Sequence, residues 1–127
     1  MNTNLTLLIG RILLAFIFIM AGASKFGAIA GTAGYIASKG LPAATLLAWA
    51  AAVFELVAGL MILVGFKTRL AAYALALFCL VAGLIFHFDP AVQAEMINFM
   101  KNLAIAGGFL ALSVSGPGAY SLDARRG

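Results

Sequence analysis

Long apolar runs alternate with short polar or glycine-rich connections along the whole chain. Four runs stand out, at about residues 5–24, 43–64, 68–88 and 98–115. Each is close to the ~20 residues that a helix needs to cross the hydrocarbon core of a bilayer. Only helices and closed barrels satisfy their backbone hydrogen bonds in lipid, and these runs lack the two-residue alternation of barrel strands. The pattern therefore predicts an all-α fold, an integral membrane four-helix bundle.

The connections predict that the spans form a single membrane domain over residues 1–127. Residues 25–42, between spans one and two, are rich in Gly and Ala and too broken to cross a membrane. They predict a short interfacial helix or loop, with Tyr35 at the depth of the lipid headgroups. The other connections carry turn signals, at Gly65-Phe66-Lys67, Asp89-Pro90 and Gly116-Pro117-Gly118. A polar tail, residues 116–127, follows the fourth span.

The first run also has features of a signal peptide, because Ala21-Gly22-Ala23 resembles a small-residue cleavage site. However, no Lys or Arg precedes this run, and Arg11 lies within it. We therefore expect span one to be retained as a membrane helix.

The composition agrees with a membrane location. Hydrophobic residues make up 65% of the 127 residues and charged residues only 9%, whereas soluble domains are about 45–50% apolar and about 25% charged. A soluble fold of this size could not bury so much apolar surface. Four spans leave no room for a separate catalytic domain, so any chemistry must lie in the bundle, on its loops or on a partner.

Basic residues outnumber acidic ones by eight to four, which gives a net charge of +4. They are scattered singly apart from Arg125-Arg126, whereas nucleic-acid-binding proteins carry a basic patch or stripe. We expect the lipid bilayer, and no nucleic acid, as partner. The end with both termini carries four basic residues (Lys67, Arg69, Arg125, Arg126) and the other end three (Lys25, Lys39, Lys101). The positive-inside rule then predicts cytoplasmic N- and C-termini.

Few residues suit metal or redox chemistry. A single cysteine, Cys79, excludes an intrachain disulfide, a CxxC centre and a cysteine-held iron–sulfur cluster, and we expect it to serve packing. One histidine excludes bis-histidine haem ligation. His87 with Asp89 and Glu95 lacks the convergent set that zinc or iron requires. We therefore expect no metal site and no covalently bound cofactor.

Arg11 and Glu55 interrupt spans one and two with charge. A charge at the centre of a membrane helix costs about 2.5–3.5 kcal/mol on insertion scales, so such residues usually face the bundle interior and find partners. Counted from the same membrane face, the two lie about 9 and 14 Å deep. We expect an ion pair or hydrogen bond between them. The alternative is that Arg11 extends to the surface while Glu55 stays protonated.

A second polar group is predicted at the opposite end of the bundle. His87 ends span three near the depth at which Lys25 ends span one and Asn102 begins span four. These side chains could hydrogen-bond a carbonyl ligand or relay a proton. The alternative is an interfacial histidine that caps a helix end.

Steps of three and four residues predict an inward-facing stripe on each span. The four stripes are Arg11, Ala15, Phe18, Gly22 and Lys25; Ala48, Ala52, Glu55 and Gly59; Tyr73, Ala76, Leu80, Gly83 and His87; and Asn98, Asn102, Ala106, Phe109 and Ser113. Small residues beside polar ones suit close helix packing in lipid.

These residues resemble the pattern of the DoxX family of small bacterial four-helix inner-membrane proteins. The resemblance rests on Arg11, Gly22, Lys25, Gly40-Leu41-Pro42, Glu55, Gly59, Gly65-Phe66, Thr68-Arg69 and His87, and on the stretch from Phe99 through Gly116-Pro117-Gly118 to Asp123. It implies a multi-pass protein of the bacterial inner membrane. Family members are associated with quinone-linked oxidoreductase complexes, but the family offers no catalytic residue set to carry over.

Two functions remain open. The first is a quinone- or quinol-interacting subunit of a membrane redox complex, with the tail in the apolar bundle and the headgroup at Arg11, Lys25, Glu55, His87 or Asn102. In that case the partner is a redox subunit or a second copy of the chain, and the enzyme is a quinone-linked oxidoreductase with unknown catalytic residues. The second is a non-catalytic membrane scaffold or small-ligand-binding protein. A pocket touching Glu55 or His87 favours the first, and a solid core with a satisfied ion pair favours the second.

Overall fold

The structure, a computed structural model, describes residues 2–126 of the chain. Over that range it is all-helical, as predicted, and contains no strand. Six α-helices follow one another: α1 (Thr3–Phe26), α2 (Ile29–Ser38), α3 (Ala44–Val64), α4 (Thr68–Ala82), α5 (Gln93–Ser115) and α6 (Leu122–Arg125). A π-helical turn, Gly83–His87, continues α4.

Four helices are long and apolar enough to cross a membrane: α1, α3, α4 with its π-helical turn, and α5. This confirms the predicted bundle, and the segment between spans one and two contains the short helix α2. The fourth helix begins at Gln93, five residues before the predicted span at residue 98. The apolar run indicated only the part of this helix that suits the hydrocarbon core of a bilayer. The helix extends beyond that run because the turn after Asp89-Pro90 ends at Val92.

The helices pack as two pairs, α1 with α3 and α4 with α5, while α2 lies mainly against α3. Gly22 permits the closest approach in the first pair. A Cβ atom added at Gly22 would lie 2.6 Å from the backbone nitrogen of Leu56, so no larger residue fits without moving a helix. Small residues at helix contacts are the common means of close packing in membranes.

The main core lies among α1, α3, α4 and α5 and includes Phe18, Ile62, Leu75 and Phe109. The rings of Phe18 and Phe109 meet edge to face with centroids 5.5 Å apart, a favourable aromatic geometry. A separate small cluster, Ala33, Ile36 and Ala48, fastens α2 to α3. Helix α2 therefore lies outside the main core.

The predicted stripes are buried as expected in α1, α3 and α5, apart from partly buried residues near their ends. On α4 the prediction is wrong for Tyr73, which is 56% exposed, and for Leu80, which is 36% exposed. The buried face instead contains Ala72, Leu75 and Cys79, so Cys79 serves packing as predicted. Small Ala and Cys side chains allow close packing, whereas the bulky Tyr73 ring faces outward.

Arg11 is 1% exposed, and within residues 2–126 it donates hydrogen bonds only to backbone carbonyls. Its Nε donates to Ile62 O at 3.1 Å and its Nη2 to Leu63 O at 3.0 Å. Its Nη1 donates to Pro117 O at 2.7 Å, and both Nη atoms donate to Tyr120 O, at 3.0 and 2.9 Å. One guanidinium thus joins α1 to the end of α3 and to the segment after α5.

The predicted pairing of Arg11 with Glu55 is wrong, and Arg11 does not reach the surface either. The last carbonyls of a helix lack intrahelical partners, and the guanidinium carries five donors in a planar fork that suits several of them at once. Arg69 makes the same kind of contact at the end of α5, where its Nη1 donates to Ser113 O at 2.8 Å and to Val114 O at 2.9 Å.

Part of the predicted polar tail is ordered against the same end of the bundle. The Asp123 carboxylate accepts hydrogen bonds from the backbone N–H groups of Lys67 (2.7 Å) and Thr68 (2.8 Å) at the start of α4. Partial burial opposes ionisation of Asp123, but these hydrogen bonds outweigh it and lower the pKa of its carboxyl from the ordinary value. Asp123 thereby acts as a cap for α4.

Replacing Arg11 tests its role at the helix ends. Arg11→Met removes the donor of the Leu63, Pro117 and Tyr120 carbonyls, whereas the Ile62 carbonyl keeps the Gly65 N–H. Each buried carbonyl left without a donor costs about 1–3 kcal/mol. We expect the free energy of unfolding, measured by denaturant titration in mild detergent, to fall by at least about 3 kcal/mol. Arg11→Lys should recover little, because an ammonium group cannot match the guanidinium fork. Arg125→Met, at an exposed position, is the control, and an equal loss in both variants would contradict the assignment.

Candidate functional site

A cavity of about 1060 Å³ lies at the end of the bundle opposite Arg11. Helices α1, α2, α3 and α5 and the end of α4 with its π-helical turn contribute to its walls. Most of the lining is apolar and includes Phe18, Phe54, Phe78, Val81 and Ile105. Exposed residues such as Tyr35 and Val81 line it too, so the cavity is open to the surroundings.

Four of the five predicted site residues line this cavity: Lys25, Glu55, His87 and Asn102. Arg11 does not, because it is bound to backbone carbonyls at the other end. Asn98 and Lys101 line the cavity as well. Sequence reasoning used Lys101 only for topology. Lys101 follows Asn98 by three residues, so the two share a face of α5. This spacing was the signal that could have placed Lys101 in the site.

Glu55 pairs with Lys25. The ammonium nitrogen of Lys25 donates a hydrogen bond to Glu55 Oε1 at 3.1 Å and lies 2.9 Å from Oε2. The second contact is an ion pair without hydrogen-bond geometry, so Oε2 has no hydrogen-bond partner among residues 2–126. The Glu55 side chain is 5% exposed and that of Lys25 is 28% exposed. Glu55 is therefore a buried carboxylate in the cavity wall that receives a single hydrogen bond.

His87 is the last residue of the π-helical turn that continues α4. Such turns insert an extra residue into an α-helix and often occur at functional sites. Nδ1 of His87 lies 3.5 Å from Glu95 Oε1, a long contact, and no hydrogen bond from its Nε2 is found within the described chain. If Nδ1 carries the proton towards Glu95, Nε2 is free to accept one.

The polar residues of α5 connect to one another next to His87. Asn98 Nδ2 donates to Glu95 Oε1 at 3.1 Å, and Asn102 Nδ2 donates to the Asn98 carbonyl at 3.0 Å. A Cβ atom added at Gly83 would lie only 3.2 Å from the Cβ of Asn102, so the π-helical turn approaches α5 closely. This approach keeps His87 and the amides at one end of the cavity.

Helix α2 covers one side of the cavity and contacts the π-helical turn through Tyr35. The Tyr35 hydroxyl donates to the Phe86 carbonyl at 3.3 Å, and the two rings stack with centroids 5.3 Å apart. Lys39 lies over the Tyr35 ring, 5.8 Å from its centroid. Because α2 belongs to its own small cluster, this contact joins it to the rest of the site.

A smaller cavity of about 470 Å³ lies at the Arg11 end, lined by residues that include Lys67, Arg69 and Asp123. Asp123 already occupies the first N–H groups of α4 there. Arg69 is bound to the end of α5. The polar groups of this cavity therefore serve the fold.

Residues 2–126 contain no group of three or more His, Cys, Asp or Glu side chains that could hold a metal ion. The larger cavity instead combines an apolar volume with hydrogen-bonding groups at one end. Lys25 donates, Glu55 accepts, and His87 and Asn102 can do both. This arrangement suits an amphipathic molecule with a compact polar head, since ligand pockets are mostly apolar with a few placed polar groups.

The DoxX family model matches residues 6–88, a stretch that includes Arg11, Lys25, Glu55 and His87. The chain belongs to the DoxX family. Two similar proteins come from Escherichia coli K12. Inner membrane protein YphA is 44% identical over 124 residues, which cover 94% of this DoxX chain and 89% of YphA. Inner membrane protein YqjF is 43% identical over 116 residues, which cover 91% and 88% of the two chains. No solved structure matches the chain.

The match ends at residue 88, so Asn98, Lys101 and Asn102 of this DoxX protein lie outside it. The matched stretch nevertheless contains both members of the Lys25–Glu55 pair and His87, which come from three different helical segments. The matched stretch therefore supplies three polar residues of the cavity, and α5 supplies Asn98, Lys101 and Asn102.

A double-mutant cycle tests the Lys25–Glu55 pair. Removing one partner strands the other charge in a buried site, which costs several kcal/mol, whereas removing both avoids that penalty. We expect Lys25→Met and Glu55→Leu to show a coupling of about 1–3 kcal/mol in the free energy of unfolding. The matched cycle of Arg11→Met with Glu55→Leu should be additive. Coupling in the second cycle but not in the first would contradict the observed pairing.

Proposed function

We propose that this DoxX protein resides in the bacterial inner membrane and binds the headgroup of a quinone or quinol, as a subunit of a membrane redox complex. The observation that carries the proposal is the cavity of about 1060 Å³, with apolar walls and Lys25, Glu55, His87 and Asn102 at one end. Both Escherichia coli relatives are named inner membrane proteins. The four apolar helices agree with that location.

The cavity fits the two parts of such a molecule. Its volume lies just above the range of about 300–1000 Å³ that is common for small-molecule pockets, so it has room for a ring and the first part of an isoprenoid tail. A carbonyl oxygen buried without a hydrogen bond is penalised. The Lys25 ammonium, the second N–H of the Asn102 amide, and His87 when its Nε2 carries a proton are donors that could satisfy it. The apolar walls would receive the tail.

His87 and Glu95 supply the means to move a proton. A quinone takes up two electrons and two protons when it is reduced, and a quinol releases them. With Nδ1 directed to Glu95, the second ring nitrogen of His87, Nε2, can exchange a proton with the headgroup. We infer that the electrons pass to or from a partner subunit.

We further propose that both termini lie in the cytoplasm. Lys67, Arg69, Arg125 and Arg126 belong to the Arg11 end, and the positive-inside rule favours the cytoplasm for the more basic end. The polar end of the cavity then lies towards the periplasm. A C-terminal reporter that is active only in the periplasm should give no signal, and one that is active only in the cytoplasm should give a strong signal. The reverse pattern would overturn this orientation.

The binding test uses His87→Ala. We expect the affinity for a short-chain benzoquinone to fall roughly tenfold or more, because a lost hydrogen bond of about 1.5 kcal/mol has that effect. Calorimetry on detergent-purified protein, supported by quenching of Trp49 fluorescence, measures it. Asp89→Asn, in the exposed turn next to His87, is the matched control and should bind like the wild type. Equal binding by wild type and His87→Ala would show that His87 does not contribute to ligand binding.

A non-catalytic scaffold is the second candidate, and the Lys25–Glu55 ion pair favours it. Such a pair can fix the register of α1 against α3 without any ligand. The scaffold predicts that no quinone binds to wild-type protein and that the charge pair matters only for stability. Purification in mild detergent, with mass spectrometry of bound lipids, quinones and proteins, separates the two candidates. It also tests whether the partner is a redox subunit or a second copy of the chain.

A further inference from the structure

We propose that Glu55 makes the cavity selective for the reduced headgroup, because its carboxylate accepts a hydrogen bond from a ligand hydroxyl. The inference rests on the proposed function and adds to it a residue that determines specificity. Glu55 belongs to the cavity wall on α3, and its side chain is 5% exposed.

An ionised carboxylate has about four acceptor positions. Glu55 receives one hydrogen bond, from Lys25 to Oε1, and its Oε2 has no hydrogen-bond partner within residues 2–126. Removing a carboxylate from water costs several kcal/mol unless hydrogen bonds and an opposite charge compensate. The ion pair with Lys25 supplies the charge. The hydrogen bonds remain incomplete.

The amides of α5 and the imidazole of His87 are directed to acceptors other than Glu55. The Asn98 amide donates to Glu95, and the Asn102 amide donates to the Asn98 carbonyl. His87 contacts Glu95 through Nδ1. A ligand hydroxyl in the cavity can supply the missing donor for Glu55, reached by a small movement of the partly exposed Lys25 side chain.

The oxidised and reduced headgroups differ in whether they can donate a hydrogen bond. The oxygens of an oxidised quinone only accept hydrogen bonds, so a quinone oxygen at Glu55 would face another acceptor. A quinol hydroxyl can accept from the Lys25 ammonium and donate to the Glu55 carboxylate at once. Since Lys25 and Glu55 are adjacent, a single hydroxyl can bridge them. Hydrogen bonds to charged groups are stronger than neutral ones, so the reduced form should bind more tightly.

The test compares three ligands of the same shape under anaerobic conditions. A decyl-substituted benzoquinone, its hydroquinone and the dimethyl ether of that hydroquinone are titrated by calorimetry into detergent-purified wild-type protein. We expect the hydroquinone to bind at least roughly tenfold more tightly than the other two, as expected for one additional charge-assisted hydrogen bond. The ether is decisive because it keeps the reduced ring but lacks the O–H donors.

Glu55→Gln tests the residue itself. A glutamine amide both donates and accepts, so the variant should bind quinone and hydroquinone within about threefold of each other. Asp89→Asn, which removes an exposed carboxylate outside the cavity, should keep the wild-type preference. If Glu55→Gln does not fold, the three-ligand series on wild-type protein still decides the question.

The possible results separate this inference from the proposed function. If no ligand binds, the proposed function fails. If all three bind equally, quinone binding stands and selectivity by Glu55 is overturned, with the carboxylate then satisfied by water. A preference for the oxidised quinone would also overturn it, since Glu55 would then carry a proton and donate. Tight binding of the dimethyl ether would show that O–H donation is not what the site recognises.

Discussion

The end of a helix is a costly part of a membrane bundle, because its last carbonyls have no intrahelical partner and lipid offers no water. Arg11 meets this cost with one side chain that donates to Ile62 and Leu63 in α3 and to Pro117 and Tyr120 beyond α5. The same guanidinium also fixes the path of the chain after the fourth span. A backbone hydrogen bond from the Asp123 N–H to Gly65 O, at 2.8 Å, also holds this segment against the end of α3.

In each of the two helix pairs, an arginine of one helix donates hydrogen bonds to backbone carbonyls near the end of the other. Arg11 of α1 binds the carbonyls one and two residues before the end of α3, and Arg69 of α4 binds the equivalent two carbonyls of α5. Both contacts lie at one end of the bundle, where Asp123 also caps α4. The opposite end has the short helix α2, a π-helical turn and the large cavity. One end is thus closed by backbone hydrogen bonds, and the other can accept a ligand.

Helix lengths and buried charges were predictable from the sequence because both follow from the bilayer: an apolar run must be long enough, and a charge within it must face inward. The partner of Arg11 was not predictable, since backbone carbonyls occur at every residue and leave no pattern to read. The buried face of α4 was predicted wrongly, because small residues occur around most of the helix and therefore do not mark one face. The π-helical turn also changes the angular position of His87 around the helix, and a regular period of 3.6 residues per turn does not predict that change.

The position of the Lys25–Glu55 pair follows from the contact at Gly22. Because α1 lies so close to α3 at Gly22 and Leu56, Lys25, almost one turn further along α1, comes beside Glu55. A pair needed only to fix this register could lie in the solid core among Phe18, Ile62 and Phe109. Instead it lies in a cavity wall, where a carboxylate with one hydrogen bond is expensive to keep. Helix packing alone explains the glycine at position 22 but not the cost of this carboxylate, whereas the proposed ligand hydroxyl, by donating to Glu55, would offset that cost.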